Sequence, residues 1–292
     1  MIFISGAAGH LGRAVINHLL ATFKVPASEI IAGTRDAAKL ADLKAKGVTI
    51  RHADFDDEAG LAKSLAGVDR FLLISTDAMA PGARARQHAA AVKAAKAAGV
   101  AHIVYTSMPR PETSAVLFAP DHAGTEKAIK DAGFKASTIL RDNWYFENLF
   151  HSMPIALKSG THYSAAGQGK MAHIARDDQA RAIAAVLAKN APGHAVYTLS
   201  GAKAYTIEEV AALVSKATGK PLNVVHVPVE GLVQGMIGAG LPEAVARIFA
   251  SFDDNIAKGG LEGDAKDYKS ITGQEPQPFE DWVKANAAAL AG

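Results

Sequence analysis

The sequence predicts an α/β fold: a Rossmann-type, doubly wound parallel sheet with a smaller α/β C-terminal lobe. Three observations carry this expectation. Short apolar runs alternate with helix-like segments up to about residue 141. The first run, Met1-Ile2-Phe3-Ile4-Ser5, leads into Gly6-Ala7-Ala8-Gly9-His10-Leu11-Gly12 and then into an amphipathic stretch. Runs such as Phe71-Leu72-Leu73-Ile74 are apolar at successive positions, as in strands buried on both faces.

Taken in order, strands are expected at residues 1–5, 29–33, 48–52, 70–75, 102–106 and 136–141. Helices are expected between them, near 10–23, 36–46, 57–66, 82–99 and 121–132. Past Arg141 the rhythm changes. A short helix is expected at 153–159, and a strand at 161–166 that pairs with 171–174 across Gly167-Gln168-Gly169. A helix at 177–188 and strands at 195–199 and 222–227 follow. Thr206 and Glu209 have the spacing of a capping box for a helix to Ala217. Residues 242–258 and 278–290 read as helical. The expected division is a nucleotide-binding domain at 1–142 and a substrate-covering lobe at 143–292, with segments near 173–200 returning to the first domain.

Composition narrows the function class. The 292 residues suffice for a sizeable core. A formal net charge of +2 without a basic block gives no footprint for nucleic acid. The absence of cysteine removes disulfides, thiol nucleophiles and thiolate metal sites, and suits a cytoplasmic enzyme. No apolar run reaches the ~20 residues that span a bilayer, and residues 1–5 are expected to be a core strand rather than a leader. Oligomeric state is left open, a homo-oligomer included.

The glycine junction carries the first chemical expectation. Glycines at three-residue spacing between a strand and a helix let backbone approach a pyrophosphate, and N–H groups at the helix start supply donors. Gly6, Ala8, Gly9, His10, Leu11 and Gly12 are therefore cofactor-binding candidates. The second strand ends at Gly33-Thr34-Arg35. A carboxylate there would accept from a ribose 2′-OH and repel a 2′-phosphate; Gly33 leaves room, and Arg35 offers a planar guanidinium. This favours NADPH over NADH, with Asp36 read as a helix N-cap. Asp54 either meets the adenine amino group, with Phe55 over a ring face, or caps its own loop. Ser75 and Thr76, and Thr106 and Ser107, end two strands on the expected ligand edge, where they either contact ribose and nicotinamide or cap the strand ends.

Reductases with this opening often carry Tyr-x-x-x-Lys on a helix, the lysine lowering the pKa of the proton-donating tyrosine. Here His122 stands in the tyrosine slot and Glu126 in the lysine slot, on one helix face. His122 either acts as acid or substrate contact, or is a structural histidine held by Glu126. No third ligand suggests a metal. Without the usual acid, a quinone or cationic dye is the better acceptor, because its reduced form is resonance-stabilised and most acceleration then comes from orientation.

These residues resemble the NmrA-like branch of the atypical short-chain dehydrogenases, and within it the bacterial NADPH:quinone oxidoreductases and triphenylmethane reductases. The likeness rests on the glycine motif, Gly33-Thr34-Arg35, His102-Ile103-Val104-Tyr105-Thr106-Ser107, His122 with Thr125-Glu126-Lys127, Leu140-Arg141, Trp144-Tyr145 with Glu147-Asn148, and Ala175-Arg176-Asp177. It implies NADPH-dependent hydride transfer to a flat acceptor, without flavin or metal. It also implies that the turn after the sixth strand lies beside the nicotinamide. Arg141, Asn143 and Trp144 thus join the cofactor candidates, and Tyr145 joins His122 as a catalytic candidate. Quinone reductases of the group commonly show Arg-Asn-Gly-Trp-Tyr where this chain has Arg141-Asp142-Asn143-Trp144-Tyr145. Two alternatives stand beside a quinone reductase: an NADP(H)-binding redox sensor without turnover, and a dye reductase.

Overall fold

Nine strands and thirteen α-helices account for the alternation in a computed structural model that describes residues 1–292. The strands are β1 (Ile2–Ile4), β2 (Ile30–Thr34), β3 (Thr49–His52), β4 (Arg70–Leu73), β5 (His102–Ser107), β6 (Ala136–Asp142), β7 (Thr161–Ser164), β8 (Gly193–Leu199) and β9 (Asn223–His226). The helices begin with α1 (His10–Ala21), α2 (Ala41–Ala45), α3 (Glu58–Ser64), α4 (Ala83–Ala97), α5 (Ala119–Ala132), α6 (Leu149–Ser159) and α7 (Arg176–Lys189). They continue with α8 (Ile207–Thr218), α9 (Val229–Gly238), α10 (Glu243–Ala257), α11 (Lys266–Thr272), α12 (Phe279–Ala285) and α13 (Ala287–Ala291). Two compact units result: Met1–Met108 with Asp121–Asp142 and Asp177–Tyr197, and Pro109–Pro120 with Asn143–Arg176 and Thr198–Gly292.

A seven-stranded sheet, in the order β3-β2-β1-β4-β5-β6-β8, organises the first unit. β1 through β6 pair in parallel, with Ile2 beside both Ile30 and Arg70. Parallel neighbours require crossovers, and right-handed ones place α1 and α2 on one face and α3, α4 and α5 on the other. Burial on both faces explains the unbroken apolar runs: all of β1 and β2 is buried. Phe3 and Phe71 meet edge to face, ring centroids 5.7 Å apart, in a cluster with Ile31, Leu61 and Tyr105. Fully burying each such side chain contributes about 1.5–3 kcal/mol. Alanines of α4 (Ala91, Ala94, Ala95) join this cluster, which explains an alanine-rich helix of weak amphipathicity.

The second unit has its own aromatic core, in which Phe146, Tyr205, Phe279 and Trp282 pack together. Its two-stranded sheet corrects one expectation. β7 pairs in parallel with β9, Thr161 beside Asn223, and does not fold back on 171–174. Met171 instead bridges Tyr205, and Ile174 bridges Tyr145. The chain after β7 is pinned elsewhere: the Asp253 carboxylate of α10 accepts from Ser164 Oγ and the Ala165 N–H, both at 2.7 Å. Gly169 lies so close to α10 that a Cβ would stand 2.1 Å from the Ile256 carbonyl oxygen. The expected helix at 278–290 breaks at Asn286 into α12 and α13. The Thr206–Glu209 capping box forms, with both reciprocal hydrogen bonds present. No helix is long and apolar enough to cross a membrane.

Candidate active site

Main-chain contacts shape the turn between Gly6 and Gly12. Gly6 sits at φ +58°, a left-handed conformation that favours glycine. The Ala7 N–H donates to the Gly33 carbonyl at 3.1 Å, and the Gly9 N–H to the Gly6 carbonyl at 2.9 Å. A Cβ on Gly12 would lie 2.5 Å from the Gly6 oxygen, so the helix approaches the loop this closely only with glycine there. Gly9 caps α1 without any side-chain hydrogen bond, and the first turn carries no acid. The N–H donors and positive end of α1 are therefore not neutralised by the protein. Gly6, Gly9 and His10 are exposed, Ala8 is half-buried, and Leu11 and Gly12 are buried.

At the end of β2 the structure assigns Gly33 a different purpose from the expected one. A Cβ there would meet the Phe3 ring at 2.4 Å and Ala53 Cβ at 3.1 Å. The space is filled by the core aromatic and is not left to a ligand. Arg35 is exposed. Asp36 does cap the following 3₁₀ turn, accepting from the Ala38 N–H at 3.0 Å. After β3, Asp54 accepts from the Asp56 N–H at 3.0 Å, which is the loop-capping role. Phe55 packs against the core cluster.

The ends of β4, β5 and β6 are cross-tied. Thr106 Oγ1 accepts from the Ser75 N–H at 2.9 Å. Thr76 Oγ1 is buried without a hydrogen-bond partner. Ser107 Oγ donates to Glu126 at 2.5 Å, and Arg141 grips the same carboxylate through Nε at 3.0 Å and Nη2 at 2.6 Å. The expected His122–Glu126 pairing does not form. A fork-shaped guanidinium satisfies both carboxylate oxygens and outcompetes a neutral imidazole. Lys127, one position on, pairs with Asp131.

His122 enters a second buried network. Its Nδ1 lies 2.8 Å from the Tyr105 hydroxyl, which is 3.3 Å from His88 Nδ1. That nitrogen is 2.9 Å from Thr125 Oγ1, and His88 Nε2 accepts from the Thr76 N–H at 3.0 Å. Burial, reinforced by the Arg84 cation, pulls both His88 and His122 down to about 3. Burial pushes the Tyr105 phenol above its ordinary range. Arg84 and His88 were not singled out by sequence reasoning, and Tyr105 and Thr125 entered only within the motifs that carry the resemblance. The available signal was Arg84 and His88 at i and i+4 on an alanine-rich helix, polar side chains where only small apolar ones were needed.

Asp142 closes β6 with both carboxyl oxygens buried and unpartnered, and burial raises its pKa well above the usual carboxylate range. The remaining candidates open the second unit. The Asn143 amide donates to Ser200 Oγ and the Leu261 carbonyl, both at 3.0 Å, and its oxygen accepts from the Trp144 N–H at 2.7 Å. The Trp144 ring packs at a tilt against Phe252, ring centroids 4.1 Å apart. Arg176 lies over the Tyr145 ring at 5.0 Å, while the Glu147 carboxylate accepts from the Arg176 N–H that begins α7. Asn143 and Glu147 thus serve local structure in this unit.

Known proteins match this arrangement along its length. The NmrA-like family matches residues 1–283. Quinone oxidoreductase 2 of Escherichia coli is 41% identical over 273 residues, 94% of each chain. A solved E. coli NADPH-dependent quinone oxidoreductase complexed with NADPH superposes with a TM-score of 0.92 at 40% identity, covering 98% of this chain and 99% of that one. Citrobacter sp. triphenylmethane reductase complexed with NADP(H) gives a TM-score of 0.90 at 34% identity, covering 98% and 100%. An NAD(P)H azoreductase from Xenophilus azovorans is 30% identical over 293 residues, 99% of each chain.

Proposed function

This chain belongs to the NmrA-like family, and from that premise we propose that it is an NADPH-dependent oxidoreductase passing hydride to a quinone or similarly flat, conjugated acceptor. The observation that carries the reading is end-to-end similarity to a quinone oxidoreductase solved with NADPH. The residues present fit that cofactor. The glycine loop is a backbone cradle that a Cβ at Gly12 would fill, and Thr76 Oγ1 is a buried hydroxyl awaiting a partner at the end of β4. On this reading the loop from Gly6 to Gly12 would hold the pyrophosphate and Arg35 the 2′-phosphate. Asp54 and Phe55 would border the adenine. Ser75, Thr76, Thr106 and Ser107 would border the ribose and nicotinamide, with Arg141 at the end of β6. NADPH, when bound, supplies the hydride. The acceptor gains two electrons and one hydrogen as that hydride, and a proton from solvent completes the hydroquinone. His122 is the side chain of the first unit proposed to face the acceptor; Tyr145 is the catalytic candidate that the resemblance supplies from the second unit. The working compartment in this reading is the cytoplasm, with a small molecule as partner, and a homo-oligomer remains an outcome for size-exclusion measurement.

The similarity to azo and triphenylmethane dye reductases favours a second reading of the acceptor. One experiment decides. Pure protein is incubated with NADPH or NADH and a panel of quinones and dyes, and loss of cofactor absorbance is followed. Turnover with quinones supports the first reading, and turnover with dyes alone the second. Tight NADPH binding without any turnover would replace both with a redox sensor. Arg35→Ala should weaken NADPH by roughly tenfold or more, the worth of a charge-assisted phosphate contact, and leave NADH nearly unchanged. Equal losses would reject the 2′-phosphate assignment.

A further inference from the structure

The buried network around His122 has a direction, set at one end by a group that can only donate. The Thr76 N–H points at His88 Nε2, 3.0 Å away, so that nitrogen presents a lone pair. A neutral His88 then carries its hydrogen on Nδ1. It donates to Thr125 Oγ1 at 2.9 Å and toward the Tyr105 oxygen at 3.3 Å. Thr125 passes its own hydrogen to the Asp121 carbonyl at 2.7 Å. The Tyr105 hydrogen is left for His122 Nδ1 at 2.8 Å. Reversing the chain would put an N–H of His88 against the N–H of Thr76. We infer that His88 and Tyr105 are positioning residues that fix His122 as its neutral Nε2–H tautomer, so that His122 offers the acceptor's oxygen a hydrogen bond instead of a proton.

The second half of this inference rests on the proposed reductase activity; the tautomer does not. Around His122 stand Arg84 and His88 from α4, Tyr105 from β5, and Asp121 and Glu126 on α5 itself. The positive charge of Arg84 and the loss of hydration both oppose an imidazolium. A neutral imidazole donor suits a quinone, whose reduced oxygen is a weak base that needs charge stabilisation more than full protonation.

The test reads the tautomer on the protein alone. Histidine-selective ¹⁵N labelling separates the imidazole nitrogens, and the His122 signals are assigned by their loss in His122→Gln. The expected wild-type spectrum at neutral pH has hydrogen on Nε2 and a bare Nδ1. Tyr105→Phe should turn His122 into a mixture of tautomers. It should also lower kcat by about fivefold, one net hydrogen bond, while the NADPH dissociation constant holds. His88→Gln can still accept from Thr76 and donate onward, so it should keep the tautomer; His88→Leu should lose it. The wild-type kcat should be flat between about pH 5 and 8, where an imidazolium acid would lose activity as pH rises through its titration. Hydrogen on Nδ1, an imidazolium at neutral pH, or an unchanged tautomer in both Tyr105→Phe and His88→Leu would overturn the inference. A failed acceptor panel would retire the reductase reading and leave the spectrum standing.

Discussion

Asp142 sets the terms at the scale of single residues. Its carboxyl oxygens are buried and without partners, and its pKa is raised. A carboxyl whose folded pKa exceeds the unfolded one contributes stability only below the unfolded value near 3.8. That contribution is lost as pH rises, so at neutral pH the group is a liability. Asp142→Asn should therefore raise unfolding free energy at pH 7 by about 1–3 kcal/mol, because an amide has no charge to give up on burial. The gain should shrink near pH 4, and urea denaturation at the two pH values would show it. A destabilised variant at pH 7 would mean that the carboxyl has a favourable partner. Gly12→Ala tests the loop in the opposite direction. A Cβ 2.5 Å from the Gly6 oxygen forces loop and helix apart, and a loss of about 1–3 kcal/mol is expected from overpacking. Residue roles that depend on a near neighbour in sequence were legible: Asp36 caps the turn it precedes. Roles that depend on distant chain were not. Nothing near Glu126 announces Arg141 or Ser107 as its partners, and nothing near Gly33 announces the Phe3 ring.

Elements were read well where their signal is local. Two-face burial writes continuous apolar runs into β1, β2 and β4, so their positions followed from pattern alone. The Thr206–Glu209 spacing likewise marks the start of α8, and Thr206→Ala should cost about 1 kcal/mol in unfolding free energy, measurable by thermal or urea melts. Pairing is another matter. β7 was expected to join the segment just after it, because a glycine-bearing turn intervenes; it joins β9 instead. The deciding contacts come from Asp253 and Ile256 of α10, almost a hundred residues on, where no turn chemistry can forecast them. Long-range contacts to α10, and no local hairpin, hold this segment. Asp253→Ala should loosen the start of the 165–171 segment and speed its amide hydrogen exchange, with β1 through β6 unaffected.

For the whole molecule, the buried histidines set the acid limit. His173 is held at about 4 by burial, its ring stacked on Phe279, and His88 and His122 are at about 3. Each is below its unfolded value of 6.5, so the unfolded chain takes up protons that the folded chain refuses. Stability is whole above that value and is lost as pH falls from 6.5 toward the folded values, at ~1.4 kcal/mol per pH unit for each histidine. Between pH 7 and 5 the unfolding free energy should drop by about 2 kcal/mol per histidine; a flat profile in urea titrations would disprove that the three rings are neutral. The ring of Phe3, seated where a side chain at position 33 would have to begin, carries a different consequence. An acidic residue cannot be introduced there without evicting a core aromatic from between β1 and β2. If Arg35 holds the 2′-phosphate as proposed, conversion toward the unphosphorylated coenzyme has to proceed through position 35 or its exposed neighbours. On that proposal, hydrocarbon packing at Phe3 would guard this chain's choice of redox currency as much as charge does.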